Sequence, residues 1–496
     1  MIRVKVGFTI LLATALVLSS FPSSALAGSW STPVNISENG LAAQDVQLAV
    51  HSDGLVTAVW LRRDLDNKSR VQSSTSLSGG PWTTPENISL AGGQAEAPQI
   101  VVDSNGRATA VWSRHDGSNP IIQASTRPNG GTWSTPVNLS LVGYSSYDPQ
   151  LTVDATGLVF AVWERELGAL KVVESSISLN GGPWSPHSTL SGAGNSYNPQ
   201  VVVDSTGRAT AIWEGFVGSD DAIISSTRPS GGPWSSAVPV SEPGGNVSPP
   251  QLAVAPDGTV TAVWGRNNGV DEILQSSTSL NGGPWSAPVN VSALDDDTGG
   301  AQVIVDNNGR ATAVWESNSF DDAFVKSSTR PSGGTWSTPV ALSPEHGYDP
   351  QLTVDGNGLV TVVWEGDDGV DRPGPQTRQV AQSSTSLNGG SWSLAVWVSS
   401  TSDLDLDVDD PQVIVDINGL VTAAWERDEA VSARRNIIQS NTFRESTTLT
   451  APTAATTTTP KLATTGANVE WLFVAGLTTV IAGAGFFALS RRRRTA

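Results

Sequence analysis

An all-β, eight-bladed propeller is the fold this sequence predicts, on three observations. Tryptophan recurs on a fixed beat: one set stands at Trp60, Trp112, Trp163, Trp213, Trp264, Trp315, Trp364 and Trp425, and a second at Trp30, Trp82, Trp133, Trp184, Trp234, Trp285, Trp336 and Trp392. The period is about 51 residues, the size of one four-stranded blade. Finally, each end of the repeated region holds what the other lacks.

The unit from Pro149 to Ser191 shows the parts. Pro149–Asp154 is a short strand, a, turned by Ala155-Thr156-Gly157 into strand b, Leu158–Trp163. A variable loop leads to strand c, Lys171–Ser178, and Asn180-Gly181-Gly182 turns the chain into strand d from Trp184 to Leu190. Strand b is apolar or small on both faces, as in a sheet covered on both sides.

At the ends, Gly28-Ser29-Trp30-Ser31-Thr32-Pro33-Val34-Asn35 is a lone strand d, while the last unit runs a, b, c through Phe443 and has no d. A ring closed by this exchange removes the exposed sheet edges, so residues 28–443 are expected to form one closed, monomeric propeller.

Even blades differ from odd ones. Arg107, Arg208 and Arg310 open strand b and Arg127, Arg228 and Arg330 close strand c there, where most other blades carry leucine. The arginines are expected to pair with turn carboxylates such as Asp103, Asp204 and Asp306, with a ligand-binding basic ring as the alternative. A glutamine opens strand a in every blade (Gln47, Gln99, Gln150, Gln200, Gln251, Gln302, Gln351, Gln412), which predicts a ring around the central channel joined by mutual hydrogen bonds.

Outside the propeller, residues 1–27 combine Arg3 and Lys5, an apolar stretch and Ala25-Leu26-Ala27, the pattern of a secretory signal peptide. Residues 444–461 are rich in threonine and proline and read as an extended stalk. Leu462-Ala463-Thr464-Thr465-Gly466 then precedes an apolar run at 471–489, long enough to span a bilayer, and a basic tail at 490–496.

This three-part tail resembles the LPxTG-like cell-wall sorting signal of Gram-positive surface proteins, with Ala463 where the commonest form has proline. The resemblance implies that a sortase cuts between Thr465 and Gly466 and joins the protein to peptidoglycan. Sortase and the wall are thus the expected partners, the membrane is met only through the C-terminal segment, and the location is extracellular.

Composition agrees with display outside the cell. The net charge is −19; without the signal segment and the residues after the cut, 22 basic residues face 46 acidic ones, near −24. Nucleic acid, which demands a basic surface, is excluded as a partner. There is no cysteine, which excludes disulfides, thiolate metal sites and cysteine nucleophiles.

Candidate binding residues lie on the face of the d–a and b–c loops, which vary between blades. All four tyrosines, Tyr144, Tyr147, Tyr197 and Tyr348, fall in the d–a loops and suit sugar or protein contact. The connection into blade 8 holds Asp403, Asp405, Asp407, Asp409 and Asp410, and the alternating carboxylates, Asp403, Asp405 and Asp407 above all, could converge on calcium, the one cofactor considered.

Two function classes follow. The first is a non-catalytic surface binding protein, an adhesin for glycan or protein. The second is a glycoside hydrolase: Ser279-Leu280-Asn281-Gly282-Gly283-Pro284-Trp285 resembles a degenerate Asp box of sialidase propellers, with asparagine for aspartate and one residue fewer before the tryptophan. That likeness implies fold and not catalysis, and the Arg-Ile-Pro element usual in sialidases is missing, so no catalytic residue is assigned. A lectin variant of the first class places sugars beside Trp163-Glu164-Arg165 and Trp425-Glu426-Arg427.

Overall fold

In the computed structural model, residues 28–444 are described apart from 116, 193, 320–321, 345, 370–377, 401–406 and 429–435. The expectations for the signal peptide, stalk, sorting motif, membrane segment and basic tail, and for Asp403 and Asp405, lie outside the described residues.

Eight antiparallel sheets form the described chain, seven of four strands and one completed by both chain ends. Blade 3 is representative: strand a is Ser146–Val153, b Leu158–Leu167, c Leu170–Leu179 and d Ser188–Thr189. Strand d shrinks to two exposed residues in each of the eight blades, which leaves little open edge for another chain to pair with. Blade 5 departs at strand a, Gln251–Val254, because Pro249 and Pro250 cannot donate to the ladder.

Blade 8 closes as expected. Its strand c, Asn436–Arg444, pairs with Ser29–Trp30 and Val34–Asn35, in the register Trp30 to Phe443 and Val34 to Ser440. Strands a of all adjacent blades also contact one another around the full circle, including blade 8 with blade 1, so they line the central axis.

The core lies between blades. At one boundary Val111 and Ile122 of blade 2 pack with Leu151, Val159 and Trp163 of blade 3; at the closing boundary Ala424 and Ile438 of blade 8 pack with Val56 and Trp60 of blade 1. All eight strand-b tryptophans are completely buried there or nearly so, as large rings filling a repeated slot. The second tryptophan set ties blades together: Trp234 Nε1 donates to Ser175 Oγ of the preceding blade at 2.8 Å, Trp285 to Ser225 at 2.7 Å and Trp336 to Ser276 at 2.9 Å.

Candidate functional site

The ring's two faces differ in kind. On the face of the a–b and c–d turns, one lock is repeated. Asp103 Oδ1 accepts from the backbone N–H of Asn105 and Arg107 at 2.9 Å each, and its other oxygen lies 3.7 Å from Arg107 Nε. Asp204 with Arg208 and Asp306 with Arg310 repeat that 3.7 Å spacing. The strand-c arginines also look inward: Arg127 and Arg330 donate to Thr57 and Thr261 of the preceding blades and lie over Trp133 and Trp336. Where Phe160 replaces that threonine, Arg228 covers its ring instead. These arginines serve the scaffold.

The opposite face is built on one extra residue in seven of the eight blades. Seven strands a carry a bulge just before the glutamine, and the bulged residue is left-handed: Asp45, Ala97, Asp148, Asn198, Gly300, Asp349 and Asp410 have φ between 47° and 56°. The N–H freed from the ladder needs an acceptor. In four blades this is the glutamate after the strand-b tryptophan of the preceding blade. Asn198 donates to Glu164 at 2.7 Å, Asp349 to Glu316 at 2.8 Å, Asp410 to Glu365 at 2.6 Å and Asp45 to Glu426 at 2.7 Å.

The Trp-Glu-Arg runs therefore present no sugar platform. Trp163 and Trp425 are fully buried and Glu164 and Glu426 nearly so, because the glutamate clamps the next blade. Blade 5 has Gly265 at that position, and Glu272 of strand c fills the space, accepting from Ser248 Oγ at 2.5 Å.

From blade 7 to blade 1 the bulged residues Asp349, Asp410 and Asp45 are themselves acidic, and carboxylates accumulate. Oxygens of Asp349, Glu365 and Asp410 lie within 4.8 Å of one another, as do those of Asp45, Asp410 and Glu426. Burial and like charge act together on this arc. Asp349 is pushed up to about 8 by burial, then by Glu316, Asp410 and Asp409; Asp409 and Asp410 are each pushed to about 6, mainly by burial. Burial also drives Glu365 and Glu426 well above the usual carboxylate range, with Asp349 and Asp410 as the leading charges beside them. The arc can hold protons at neutral pH or a hard cation in their place. Of Asp403, Asp405 and Asp407, only Asp407 is described. It accepts from the backbone of Gln379 at 3.2 Å and belongs to neither of these groups.

Blades 3 and 4 carry the aromatic sector. Tyr147 and Tyr197 lie within strands a rather than in the loops, as does Tyr348, while Tyr144 remains in the turn before blade 3. Lys171 Nζ stands 5.3 Å from the ring centres of both Tyr147 and Tyr197 and pairs with Glu164 at 2.7 Å. Burial pulls the lysine's proton affinity down, but the Glu164 bond and charge outweigh it and the net shift is upward. Half-exposed Tyr144 lies against Arg165, and Tyr147 donates to Glu166 at 3.3 Å. Asp148, buried near Glu164, is pushed up to about 6, and Glu214, bound by Asn198 Nδ2 at 2.6 Å, to about 7, mainly by burial. Tyr348 stands apart on blade 7, opposite Glu365 in the register.

The glutamine ring is not joined by mutual hydrogen bonds as expected. The Oε1 atoms of Gln99, Gln150, Gln302 and Gln351 are buried without a partner. With four of the eight acceptors unused, amide-to-amide bonds do not run around the ring.

No protein-family model matches this chain, and no curated protein does. Solved structures match at low identity. The Hadza microbial sialidase Hz136 shares 15% identity over 56% of this chain, which spans 63% of that protein, with a TM-score of 0.39. Polysaccharide lyase Uly1 shares 10% over 73% of this chain and 92% of its own, with a TM-score of 0.47. A protein of unknown function from Dyadobacter fermentans shares 13% over 72% of this chain and 97% of its own, with a TM-score of 0.40. No residue role carries over from such likenesses.

Proposed function

We propose that this chain is a cell-wall-displayed binding protein that engages glycan or protein ligands through the face holding the bulged strand ends. The observation that carries this reading is the contrast between faces. One repeats a single Asp-centred turn with its side chains turned inward, whereas the other concentrates the tyrosines, Lys171 and the carboxylate arc on a rigid bulged frame. The export signal and LATTG tail fit a disc held on a stalk outside the cell. Residues 28–444 on glycan and extracellular-protein arrays, with calcium and with EDTA, test it. Selective binding by at least one class is expected; absence of binding on both arrays overturns it.

A second reading, glycoside hydrolysis, is favoured by Asp349, Glu365 and Asp410, whose close carboxyl groups include ones protonated at neutral pH, as a general acid requires. Release of reducing sugar from a glycoside panel, lost in Glu365→Gln, would support it.

A further inference from the structure

We infer that the boundary between blades 3 and 4 is a binding site for an uncharged pyranose, framed by Tyr147 and Tyr197 with the Lys171–Glu164 pair as its floor. The inference rests on the binding-protein reading and deepens it by naming the ligand class.

Placement comes first. Strand a of blades 3, 4 and 7 carries a tyrosine just before its bulged residue; elsewhere the position holds Gln44, Glu96, Ser248, Gly299 or Asp409. Only blades 3 and 4 are neighbours, so only there do two rings face a common centre. The bulges at Asp148 and Asn198 fix both strand ends, and the clamp from Asn198 N–H to Glu164 fixes one blade on the other. Both rings are half-buried, which leaves part of each open to a ligand. Such preorganised, amphipathic rings suit the apolar C–H face of a sugar.

Charge then narrows the class. An aromatic pair could also hold a cation, but Lys171 already stands 5.3 Å from each ring centre, so a cationic peptide would bring a second positive charge against it, a cost that an uncharged sugar on the open part of the rings does not meet. An acidic sugar fares no better. Lys171 is committed to Glu164 at 2.7 Å, and Arg165 is committed to fully buried Glu174 at 2.7 Å, so neither cation is left for a ligand carboxylate, while the carboxyl groups of Asp148, Glu166 and Glu214 add only further oxygens. What this rim offers is hydrogen-bond acceptors, and a polyol supplies donors without charge. Sialic and uronic acids are excluded on this ground.

The test uses residues 28–444, whose ring is closed by the chain's own two ends. The probes are neutral hexose- and N-acetylhexosamine-terminated oligosaccharides, their sialylated counterparts, and an oligolysine peptide. Binding is expected for neutral glycans alone, weakened at least tenfold in Tyr197→Ala and in Tyr147→Ala, and unchanged in Arg208→Gln on the opposite face. Tyr197→Phe, which keeps the ring and the fold, should bind within about threefold of the parent, as stacking rather than the hydroxyl carries the contact. Neutral-glycan binding that survives both alanine substitutions overturns the site and leaves the binding-protein reading standing. Preference for sialylated glycans or oligolysine overturns the ligand class, and no glycan binding alongside a protein-array hit overturns the inference alone.

Discussion

The backbone N–H of Asp410 donates to the Glu365 carboxylate at 2.6 Å, across the boundary between blades 7 and 8. Glu365 is 5% exposed and has Asp349 and Asp410 oxygens within 4.8 Å. Three such carboxyl groups cannot all ionise at that spacing without compensation, so protons sit within the arc at neutral pH.

Stability should therefore fall as pH rises. The folded-state values of Asp349, Asp409 and Asp410 are raised to about 8, 6 and 6. Below the ordinary carboxylate value of about 4, folded and unfolded states are both protonated and nothing is lost. Above it the unfolded chain ionises first, so stability declines through pH 4–8, by an amount on the order of a few kcal/mol for the arc. Thermal scans in one buffer series should show Tm highest near pH 4–5 and lower by about 5 °C at pH 8. Glu365→Gln, whose amide oxygen still accepts from Asp410, should flatten the curve by raising Tm at pH 8. A maximum at pH 8 in the unsubstituted protein contradicts the account.

The tryptophan staples give a contrast inside one molecule. Trp234 Nε1 is bonded to Ser175, whereas Trp133 Nε1 and Ser73 Oγ, the pair that the repeat would join between blades 2 and 1, are both buried without partners. Trp234→Phe should cost about 1–2 kcal/mol more than Trp133→Phe, since only the first leaves a hydroxyl newly unpaired. Urea unfolding of the two variants gives the difference through the shift in midpoint at constant slope.

Closure rests on the first strand. Trp30 meets Phe443 at 5.3 Å between ring centres and donates to Ser383 of blade 7 at 2.8 Å, so one side chain joins strand c of blade 8 to the blade before it. Trp30→Ala should destabilise by about 3 kcal/mol, in the range for losing a large packed aromatic. Hydrogen exchange should rise first at Ile437–Phe443, whose outer edge the N-terminal strand covers. Uniform loosening of all blades would count against a local seam.

Much of this architecture could be read from the sequence, because tryptophan and Gly-Gly mark each strand boundary and the lone d strand at Trp30 answers the missing one after Phe443. The bulges could not. One left-handed residue two places before the glutamine has no constant signature: Asp or Asn holds it in five blades, but Ala97 and Gly300 adopt it too. Trp-Glu-Arg looks the same whether it lines a surface pocket or clamps a neighbour; only packing reveals that Glu426 reaches Asp45, 381 residues away in the chain. The carboxylate arc stayed hidden for the same reason. Its members come from different repeats: the acidic run before blade 8 supplies only Asp410, and its partners Asp349, Glu365, Glu426 and Asp45 stand elsewhere along the chain.

Cations should substitute for the arc's protons. Asp410 belongs to both three-carboxylate groups, one with Asp349 and Glu365 and one with Asp45 and Glu426, so a divalent ion held by oxygen ligands would relieve the repulsion that ionisation creates. Calcium and protons then compete, which sets the sign: calcium stabilises where the arc is ionised and not where it is protonated. At pH 8, millimolar calcium should raise Tm by about 5 °C over EDTA, while at pH 4.5 the two scans should coincide. Asp410→Asn is the decisive variant. Asparagine accepts a φ of 48°, so the bulge survives while the shared carboxylate is lost. Its Tm at pH 8 should be higher in EDTA than that of the parent and insensitive to calcium. Superimposed calcium and EDTA scans of the parent at pH 8 would show that protons and the clamping N–H groups alone hold the arc.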